Sequence, residues 1–212
     1  MKLVLASNNA KKLIELRALF EGLPLELLSQ SEFGVSEAEE PHISFIENAL
    51  AKARHAAAAT GLAAMADDSG LCVDALGGAP GVASAVYAPV PQADSEPGDR
   101  EALRRAHDAA NNALLLRRMH GLPRRRAAFV STLVAVRHAA DPEPLVACGR
   151  WVGEILKQPR GQGGFGYDPL MFIASAGTTV AEMDAASKNA ISHRAIAAAQ
   201  MRQLLVQGWG LG

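Results

Sequence analysis

The chain has 212 residues, 49% of them hydrophobic, with a mean hydropathy of +0.06. This is enough apolar material for a single domain over residues 1–212, built on one core or on two lobes that share it. The 21 Lys and Arg nearly balance 22 Asp and Glu, and the net charge of −1 gives no basic field to attract nucleic acid. The apolar start is too short for a signal peptide, and no apolar run reaches the roughly 18 residues of a membrane helix, so we expect a cytoplasmic protein with no membrane partner.

The two cysteines give a second indication of the compartment. Cys72 and Cys148 both lie in apolar runs that are typical of strands. Because free cysteines are among the most buried residues, we expect two buried thiols rather than a disulfide. Unpaired cysteines are typical of a reducing compartment, which agrees with a cytoplasmic location.

The chain begins with an apolar strand at residues 2–6, which stops at the polar sequence Ser7-Asn8-Asn9. Asn9 can cap the helix that follows, and Gly22 can end it. The apolar positions of this helix are Leu13, Leu16, Leu19 and Phe20. The start of a helix after a strand exposes backbone N–H groups that favour anions, so this junction is a candidate phosphate site.

A short strand, an acidic loop and a second helix are predicted next. The strand covers residues 25–29, and the acidic loop covers residues 37–41. Ser44-Phe45-Ile46-Glu47 fits a capping box. The alanine-rich helix that it opens runs to about Thr60, and Gly61 ends it.

Two further strands are predicted at residues 63–66 and 71–76. They flank Asp67-Asp68-Ser69-Gly70, so we expect these polar residues in a loop where the first strand ends. The proline-rich residues 89–100 indicate a mobile loop, and a polar helix follows over residues 100–120.

Residues 127–138 and 145–156 are long β-rich runs joined at Asp141-Pro142, which predicts an antiparallel hairpin. A strand is predicted at residues 170–173. The final helix is expected to begin at Ser192 and to bury apolar residues at helical spacing, namely Ala197, Met201, Leu204 and Leu205. Because strands alternate with helices early and a hairpin follows, the predicted fold class is α/β with a mixed sheet.

Asp67 and Asp68 carry the clearest chemical signal. Consecutive side chains at the end of a strand point to opposite faces, so only one of these carboxylates can face a site. A carboxylate there suits Mg²⁺, which takes one or two carboxylates together with phosphate oxygens, or it can activate a water molecule. The acidic residues 37–40 add a metal ligand only if their loop folds over the same site. An Asx turn without chemistry is the alternative.

Two lysines are candidates for binding phosphate. Asn9 and Lys12 lie across the start of the first helix, where an amide and an ammonium can contact one phosphate together. Lys52 follows Glu47-Asn48 by about one turn on the second helix. Solvated surface lysines are the alternative in both places.

Residues 161–166 match G-x-G-x-x-G, but the context excludes a dinucleotide fingerprint. Pro169 follows closely and disfavours a helix at the residue before it. We interpret the segment as a loop that presents Phe165, Tyr167 and Asp168, with a ring for stacking and a carboxylate for base N–H groups. A turn with core aromatic residues is the alternative.

His193 and Arg194 follow Ser192, the predicted cap of the last helix. Arginine can donate to a purine carbonyl in a fork geometry. The other histidines do not have the spacing of zinc ligands. The arginine pairs at 104–105 and 117–118 indicate solvated faces rather than a nucleic-acid stripe.

Taken together, these motifs resemble the inosine/xanthosine triphosphate pyrophosphatase family. The matching segments occur in family order over nearly the whole chain and are Ser7-Asn8-Asn9-Ala10-Lys11-Lys12 with Glu15, Phe45-Ile46-Glu47-Asn48-Ala49 with Lys52-Ala53, Ala66-Asp67-Asp68-Ser69-Gly70-Leu71, Pro80-Gly81-Val82 with Ser84-Ala85, Gly164-Phe165-Gly166-Tyr167-Asp168-Pro169, and Lys188 with Ser192-His193-Arg194. The resemblance implies two lobes around a long mixed β-sheet, a nucleotide cleft between the lobes, a homodimer and dependence on Mg²⁺.

The resemblance also implies the roles of individual residues. Asp68, the second residue of the aspartate pair, is expected to bind the metal and activate water, while Asp67 points away and matters less. Glu40 is our choice for the second metal contact. The substrate-binding residues are expected to be Ser7, Asn8, Asn9, Ala10, Lys11, Lys12, Lys52, Ser69, Phe165, Gly166, Tyr167, Asp168, Lys188, His193 and Arg194.

The resulting hypothesis is Mg²⁺-dependent hydrolysis of non-canonical purine nucleoside triphosphates (ITP, dITP and XTP) to the monophosphate and pyrophosphate. Such an enzyme removes these nucleotides from the cellular pool. Two alternatives remain open at this point: a related pyrophosphatase for modified pyrimidine or standard nucleotides, and a non-catalytic nucleotide- or RNA-binding module.

Overall fold

The computed structural model describes residues 1–89 and 100–211, excluding the side chains of residues 100 and 101. Its helices are α1 (Ala10–Leu19), α2 (Phe45–Thr60), α3 (Arg100–Arg118), α4 (Ala185–Ile191) and α5 (His193–Trp209). Its strands are β1 (Lys2–Leu5), β2 (Glu26–Ser29), β3 (Ala63–Val73), β4 (Arg126–Val136), β5 (Leu145–Ile155), β6 (Met171–Ile173) and β7 (Thr178–Thr179). Within these ranges no helix is long and apolar enough to cross a membrane.

The strands form one sheet in the order β2-β1-β3-β4-β5-β6-β7. β1 pairs in parallel with β2 and with β3, whereas β6 pairs antiparallel with β5 and with β7. The predicted α/β class and mixed sheet are therefore confirmed. β4 and β5 are neighbours in the sheet, joined by residues 137–144, as the hairpin prediction requires.

The internal contacts fall into two compact units, each assembled from separate chain segments. Unit 1 comprises residues 1–69, 130–150 and 189–212. Unit 2 comprises residues 70–129 and 151–188. The assignment of residues 1–212 to a single domain, and the cleft between its lobes, stay predictions.

The core of unit 1 has two faces because β1 is covered on both sides. Leu3 and Leu5 pack with α1 and α5, and Val4, which points the other way, packs against the alanines of α2. Small alanines allow α2 to lie close to the sheet. The core of unit 2 is a separate cluster that contains Leu115 of α3, Trp151 of β5 and Tyr167.

Helix boundaries follow the predicted capping residues. Ser44 accepts a hydrogen bond from the backbone N–H of Glu47, and Gly61 ends α2 in the left-handed conformation at a φ of 67°. Ser192 caps α5 by accepting the N–H of Ala195 at 3.1 Å. A Cβ at Gly149 of β5 would lie 1.8 Å from the carbonyl oxygen of His193, so only glycine lets the strand pass this close to the start of α5.

Two predictions about local structure are wrong. Residues 63–73 form one continuous strand rather than two, so Asp67 and Asp68 lie within β3 and not in a loop. Cys72 is half-buried and Cys148 is exposed, because Cys148 falls on the outward side of β5, although the two form no disulfide. Helix α4 was not predicted, and most of the loop predicted at residues 89–100 lies outside the described residues.

Candidate active site

The first predicted motif joins β1 to α1 in unit 1. Asn9 is the N-cap of α1, because its Oδ1 accepts the backbone N–H of Lys11 at 3.0 Å and that of Lys12 at 3.3 Å. Ser7 Oγ accepts the N–H of Asn9 at 3.2 Å. The predicted cap is confirmed, and it fixes the position from which the Lys12 side chain leaves the helix.

A cavity of about 200 Å³ lies beside this motif. It is lined by Ala6, Ser7, Asn9, Lys12, Gln30, Glu37, Ala38, Glu40, Lys52 and Asp67. The acidic loop and the phosphate motif therefore meet at one cavity of unit 1. Asn8, Ala10 and Lys11 are exposed and do not line it, although Asn8 Oδ1 accepts a hydrogen bond from Gln30 Nε2 at 3.2 Å.

Asp67 is the centre of a buried ionic cluster in unit 1. Its Oδ2 lies 2.9 Å from Lys12 Nζ and 3.1 Å from Arg194 Nη2. Ser131 Oγ donates to its Oδ1 at 2.7 Å, and Ser69 Oγ donates to Oδ2 at 3.2 Å. Asp67 is 1% exposed, so these four side chains replace the water that the carboxylate loses on folding.

The charges of this cluster are fixed by their partners. Burial raises the pKa of Asp67, but Lys12 and Arg194 outweigh it and hold that pKa well below its ordinary value. Arg194 Nη1 also donates to Glu15 at 2.6 Å, and the two carboxylates raise the pKa of Arg194 despite its burial. Asp67 therefore has charged partners of its own, and its expected lesser part in the chemistry stays a prediction.

The structure places Arg194 differently from its expected contact with a base. Its side chain is 1% exposed, and its Nε, Nη1 and Nη2 donate to Asp67, Glu15 and Ser69. Donors that were expected to address a purine carbonyl are thus bonded to acceptors inside unit 1. Arg194 holds Asp67 and Ser69 in place, and this differs from the predicted role because a buried carboxylate is the stronger acceptor.

Asp68 points to a different set of partners. Its Oδ1 lies 2.8 Å from Lys52 Nζ, which also contacts Glu40 Oε1 at 2.9 Å and the carbonyl oxygen of Asp67 at 3.2 Å. Burial raises the pKa of the Asp68 carboxyl, and Lys52 opposes that rise. The pKa of Lys52 is itself raised by Asp68 and Glu40 against the effect of burial. One ammonium therefore brings together the two predicted metal ligands.

The donor set around Asp68 fits a divalent metal with few protein ligands. Asp68 Oδ2 is buried and has no hydrogen-bond partner among the described residues, and an orphaned buried oxygen is costly unless a ligand satisfies it. Residues 1–89 and 100–211 contain no group of three or more His, Cys, Asp or Glu that could hold a metal ion. Asp68 and Glu40 thus offer two carboxylates, which suits a cation that takes its other ligands from water and phosphate.

The glycine-rich loop of unit 2 holds an aromatic ring beside a carboxylate. Asp168 Oδ2 accepts the N–H of Phe165 at 3.0 Å and lies 2.7 Å from Lys188 Nζ. The centroid of the Phe165 ring lies 4.7 Å from Lys188 Nζ and 5.2 Å from the guanidinium carbon of Arg104. Lys188 lies on α4, the helix that the sequence did not predict.

Gly166 and Tyr167 have structural contacts within the same unit. The backbone of Gly166 is held by Asp108 and Asn112 of α3. Tyr167 is 5% exposed, its hydroxyl donates to the carbonyl oxygen of Ser84 at 2.9 Å, and burial raises its pKa. The Tyr167 side chain is thus a core residue, as the alternative interpretation of this loop held.

Several residues of the cluster were not predicted as functional. Ser131 lies beside Thr132 in the otherwise apolar run of β4, where its hydroxyl is the only sequence signal that a buried partner exists. Glu15 belonged to the matched motif but had no assigned role. His193, by contrast, was predicted to bind substrate, and it is 7% exposed at the start of α5. In unit 1 the structure thus brings together Lys12, Lys52, Glu40, Asp67, Asp68, Ser69 and Arg194, and in unit 2 it brings together Phe165, Asp168 and Lys188.

Comparisons with known proteins give one consistent result. A family model described as the Ham1 family matches residues 3–204. The chain is 64% identical over 211 residues to a protein of Methylibium petroleiphilum and 62% identical over 211 residues to one of Leptothrix cholodnii, both named dITP/XTP pyrophosphatase. These alignments cover 99% of both chains in the first case and 100% of both in the second.

Solved structures agree. A HAM1 protein from Coxiella burnetii is 40% identical and superposes with a TM-score of 0.85, covering 98% of this chain and 99% of its own. The Ham1 protein of Staphylococcus aureus is 32% identical with a TM-score of 0.81, covering 98% of this chain and 100% of its own. The family model, the sequence relatives and the structural neighbours all agree, and the chain therefore belongs to the Ham1 family.

Proposed function

We propose that the chain is a nucleoside-triphosphate pyrophosphohydrolase that converts dITP, ITP and XTP to the monophosphate and pyrophosphate. The names of its full-length relatives support the substrate class. The observation that carries the chemistry is the pair Asp67 and Asp68, two buried carboxylates held by Lys12 and Lys52. A concentration of buried, compensated charge beside a cavity is typical of a catalytic site.

Asp68 and Glu40 would hold the divalent metal, which we propose to be Mg²⁺. When bound, the metal would neutralise charge on the polyphosphate as pyrophosphate leaves. The support for these ligands is their shared contact with Lys52 and the unpartnered Oδ2 of Asp68. Mg²⁺ is favoured over softer metals because both ligands are carboxylates.

The residues of the chain would divide the remaining work. Lys12 and Lys52 are ammonium donors at one cavity and would bind the polyphosphate, with the start of α1 beside them. Asp68 would accept a proton from the attacking water, a role helped by burial, which raises its pKa. The water oxygen would bond to the α-phosphorus while the bond to the bridging oxygen breaks, so that pyrophosphate departs.

Base recognition is assigned to Phe165, Asp168 and Lys188 of unit 2, and His193 stays a predicted substrate contact. Hypoxanthine and xanthine carry an acceptor at C6, where adenine carries an amino donor, so a cationic donor such as Lys188 would favour the former. A site organised by hydrogen bonds can reject the mispaired base by roughly 10⁴ or more. Guanine shares the C6 carbonyl, so a weaker preference for ITP over GTP is expected.

The assembly and location follow as part of the same proposal. We propose a homodimer in the cytoplasm, with no nucleic-acid or membrane partner. The nearly balanced charge supports the absence of nucleic acid. Light scattering of the purified protein would test the dimer.

Pyrophosphate release from a panel of nucleoside triphosphates, with and without Mg²⁺, tests the activity. ITP, dITP and XTP should be turned over much faster than ATP, and turnover should stop when the metal is chelated. Equal rates for ATP and ITP would favour a pyrophosphatase of standard nucleotides. Salt-sensitive RNA retention with no turnover would favour a binding module.

A further inference from the structure

Helix α3 contacts the glycine-rich loop through one face. Arg104, Asp108 and Asn112 are spaced four residues apart, so their side chains lie above one another on the helix. Each of the three contacts a residue of the loop at 165–166. None of them belongs to the motifs that suggested a nucleotide site.

Two of these side chains bind both backbone groups of a single residue. Asp108 Oδ2 accepts the N–H of Gly166 at 2.9 Å, and Asn112 Nδ2 donates to the carbonyl oxygen of Gly166 at 2.9 Å. Gly166 has a φ of 61°, a left-handed conformation that other residues rarely adopt. The pair therefore fixes a backbone conformation at the centre of the loop.

The residues next to Gly166 depend on that conformation. Phe165 precedes it, and the N–H of Asp168 bonds to the carbonyl oxygen of Phe165 at 3.2 Å, while Asp168 Oδ2 accepts the N–H of Phe165. Gly166 lies inside this closed turn. A change in its dihedral angles would consequently move the Phe165 ring relative to the Asp168 carboxylate.

The Asn112 side chain leaves one buried polar atom without a partner among the described residues, which packing alone would not require. Its Nδ2 is bonded to Gly166, but its Oδ1 is buried and has no hydrogen-bond partner in the part of the chain that the structure describes. A buried amide oxygen without a partner costs free energy, and an apolar side chain would avoid this cost. The hydrogen bond to Gly166 offsets this unfavourable free energy.

We infer that Asp108 and Asn112 are positioning residues for recognition of the purine base. They act through Gly166 to hold Phe165 and Asp168 in the arrangement that a base would contact. The inference rests on the proposed function, because Phe165 and Asp168 are the proposed base contacts. It adds to that proposal a second tier of residues, on a helix that supplies no proposed substrate contact.

Separate probes for the two ends of the nucleotide give the test. Calorimetry with IMP, which has a base but no pyrophosphate, should show about tenfold weaker binding to Asp108→Ala and to Asn112→Ala, in line with the loss of one buried hydrogen bond. Binding of inorganic pyrophosphate, which has no base, should stay within about twofold. In turnover assays the KM for ITP should rise while kcat changes little.

Asn111→Ala is the matched control. Asn111 is the neighbouring residue of α3, but its side chain bonds to Ser84, Ala85 and Ala88 rather than to the loop. This variant should lower thermal stability without a selective loss of IMP binding. Asp108→Asn keeps an oxygen that can accept the Gly166 N–H and should restore most of the affinity. Asn112→Asp has nearly the same size and replaces the donor with a charged acceptor that cannot bond to the Gly166 carbonyl oxygen, so it breaks the same bond if Asn112→Ala does not fold.

The outcomes separate this inference from the proposed function. Unchanged IMP affinity in folded Asp108→Ala and Asn112→Ala would overturn the inference, as would a parallel loss of IMP and pyrophosphate binding. A wild-type protein that binds AMP as tightly as IMP would instead contradict the proposed base recognition. IMP selectivity in the wild type, lost only in these two variants and not in Asn111→Ala, would support both.

Discussion

The two units hold their candidate residues by different means. In unit 1, Asp67 and Asp68 are buried carboxylates whose positions are set by charged partners, Lys12, Arg194 and Lys52. In unit 2, side chains of Asp108, Asn112 and Asp168 hold the backbone of the loop around Gly166 by hydrogen bonds, and an ion pair joins Asp168 to Lys188. Removing one partner of a buried ion pair is strongly destabilising, because it leaves an uncompensated buried charge. A change in a tight backbone turn is destabilising instead when it adds strain to the backbone conformation. The two regions should therefore fail differently when mutated.

The largest effect is expected on stability in unit 1. Asp67→Asn leaves Arg194 and Lys12 without their shared counter-charge, and breaking a buried ion pair costs roughly 3 kcal/mol or more. Urea denaturation should show this loss in the free energy of unfolding. The control is Glu143→Gln, which removes an exposed partner of Arg137 and should change that free energy by less than about 1 kcal/mol. Similar losses of unfolding free energy in the two variants would contradict the role of Asp67 as the centre of the ionic cluster.

The same cluster predicts an acid-sensitive stability. The pKa of Asp67 lies well below its ordinary value in the folded protein, so the folded state binds the proton more weakly than the unfolded state does. This stabilisation is fully present above the unfolded pKa of about 4 and is lost as the pH falls through the folded value. Denaturation curves should show that the free energy of unfolding falls less between pH 6 and about pH 2 in Asp67→Asn than in the wild type.

Turnover should fall next, through the neighbouring aspartate. Asp68→Asn keeps the size of the side chain but removes the charge that would bind a metal and accept a proton, so kcat should decrease by roughly 10² or more. Its fold should survive better than that of Asp67→Asn, because Lys52 keeps Glu40 as a partner. Pyrophosphate release measured beside a thermal melt would separate these effects. Full activity in Asp68→Asn would show that another group activates water.

In unit 2, two glycines provide a matched pair. Both Gly164 and Gly166 have positive φ, at 74° and 61°, so alanine adds backbone strain of about 1 kcal/mol or more at either. A Cβ at Gly164 would also lie 2.1 Å from Asp168 Oδ2, whereas one at Gly166 would meet nothing within 4 Å. Gly164→Ala should therefore weaken IMP binding more than Gly166→Ala does, as measured by calorimetry. The reverse order would imply that the position of Asp168 does not matter for the base.

The smallest effect is expected at Glu40. Its side chain is 45% exposed, so its contact with Lys52 contributes little to stability. Glu40→Gln removes one of two proposed metal ligands and should raise the Mg²⁺ concentration for half-maximal turnover by about tenfold. An unchanged magnesium titration would exclude Glu40 as a ligand.

Local signals in the sequence predicted the caps but not the course of β3. Asn9, Ser44 and Ser192 each cap a helix as expected, because a cap depends on three or four consecutive residues. The polar residues 67–70 favour a loop by local sequence alone, since an isolated sequence does not show which partners would satisfy buried carboxylates. Those partners are brought close by the tertiary fold, and their contacts outweigh the local preference of residues 67–70 for a loop.

The candidate site shows the same division. Lys52 and Asp68 were predicted from the motif pattern, and their contact agrees with it. The contacts of Arg194 could not be predicted, because Asp67 and Glu15 lie far from it in sequence and compete for its donors. No sequence motif includes Ser131, Asp108 or Asn112. Their roles arise because a strand and a helix pack beside the motif residues.

The ionic cluster of unit 1 has a consequence for synthesis of the chain. Arg194 pairs with Asp67 across 127 residues and with Glu15 across 179 residues. A nascent chain that has not yet emerged beyond Ser192 lacks α5 and leaves the carboxylate of Asp67 without its guanidinium. Unit 1 therefore cannot complete its charge balance until α5 has also left the ribosome, however early its first strand is made.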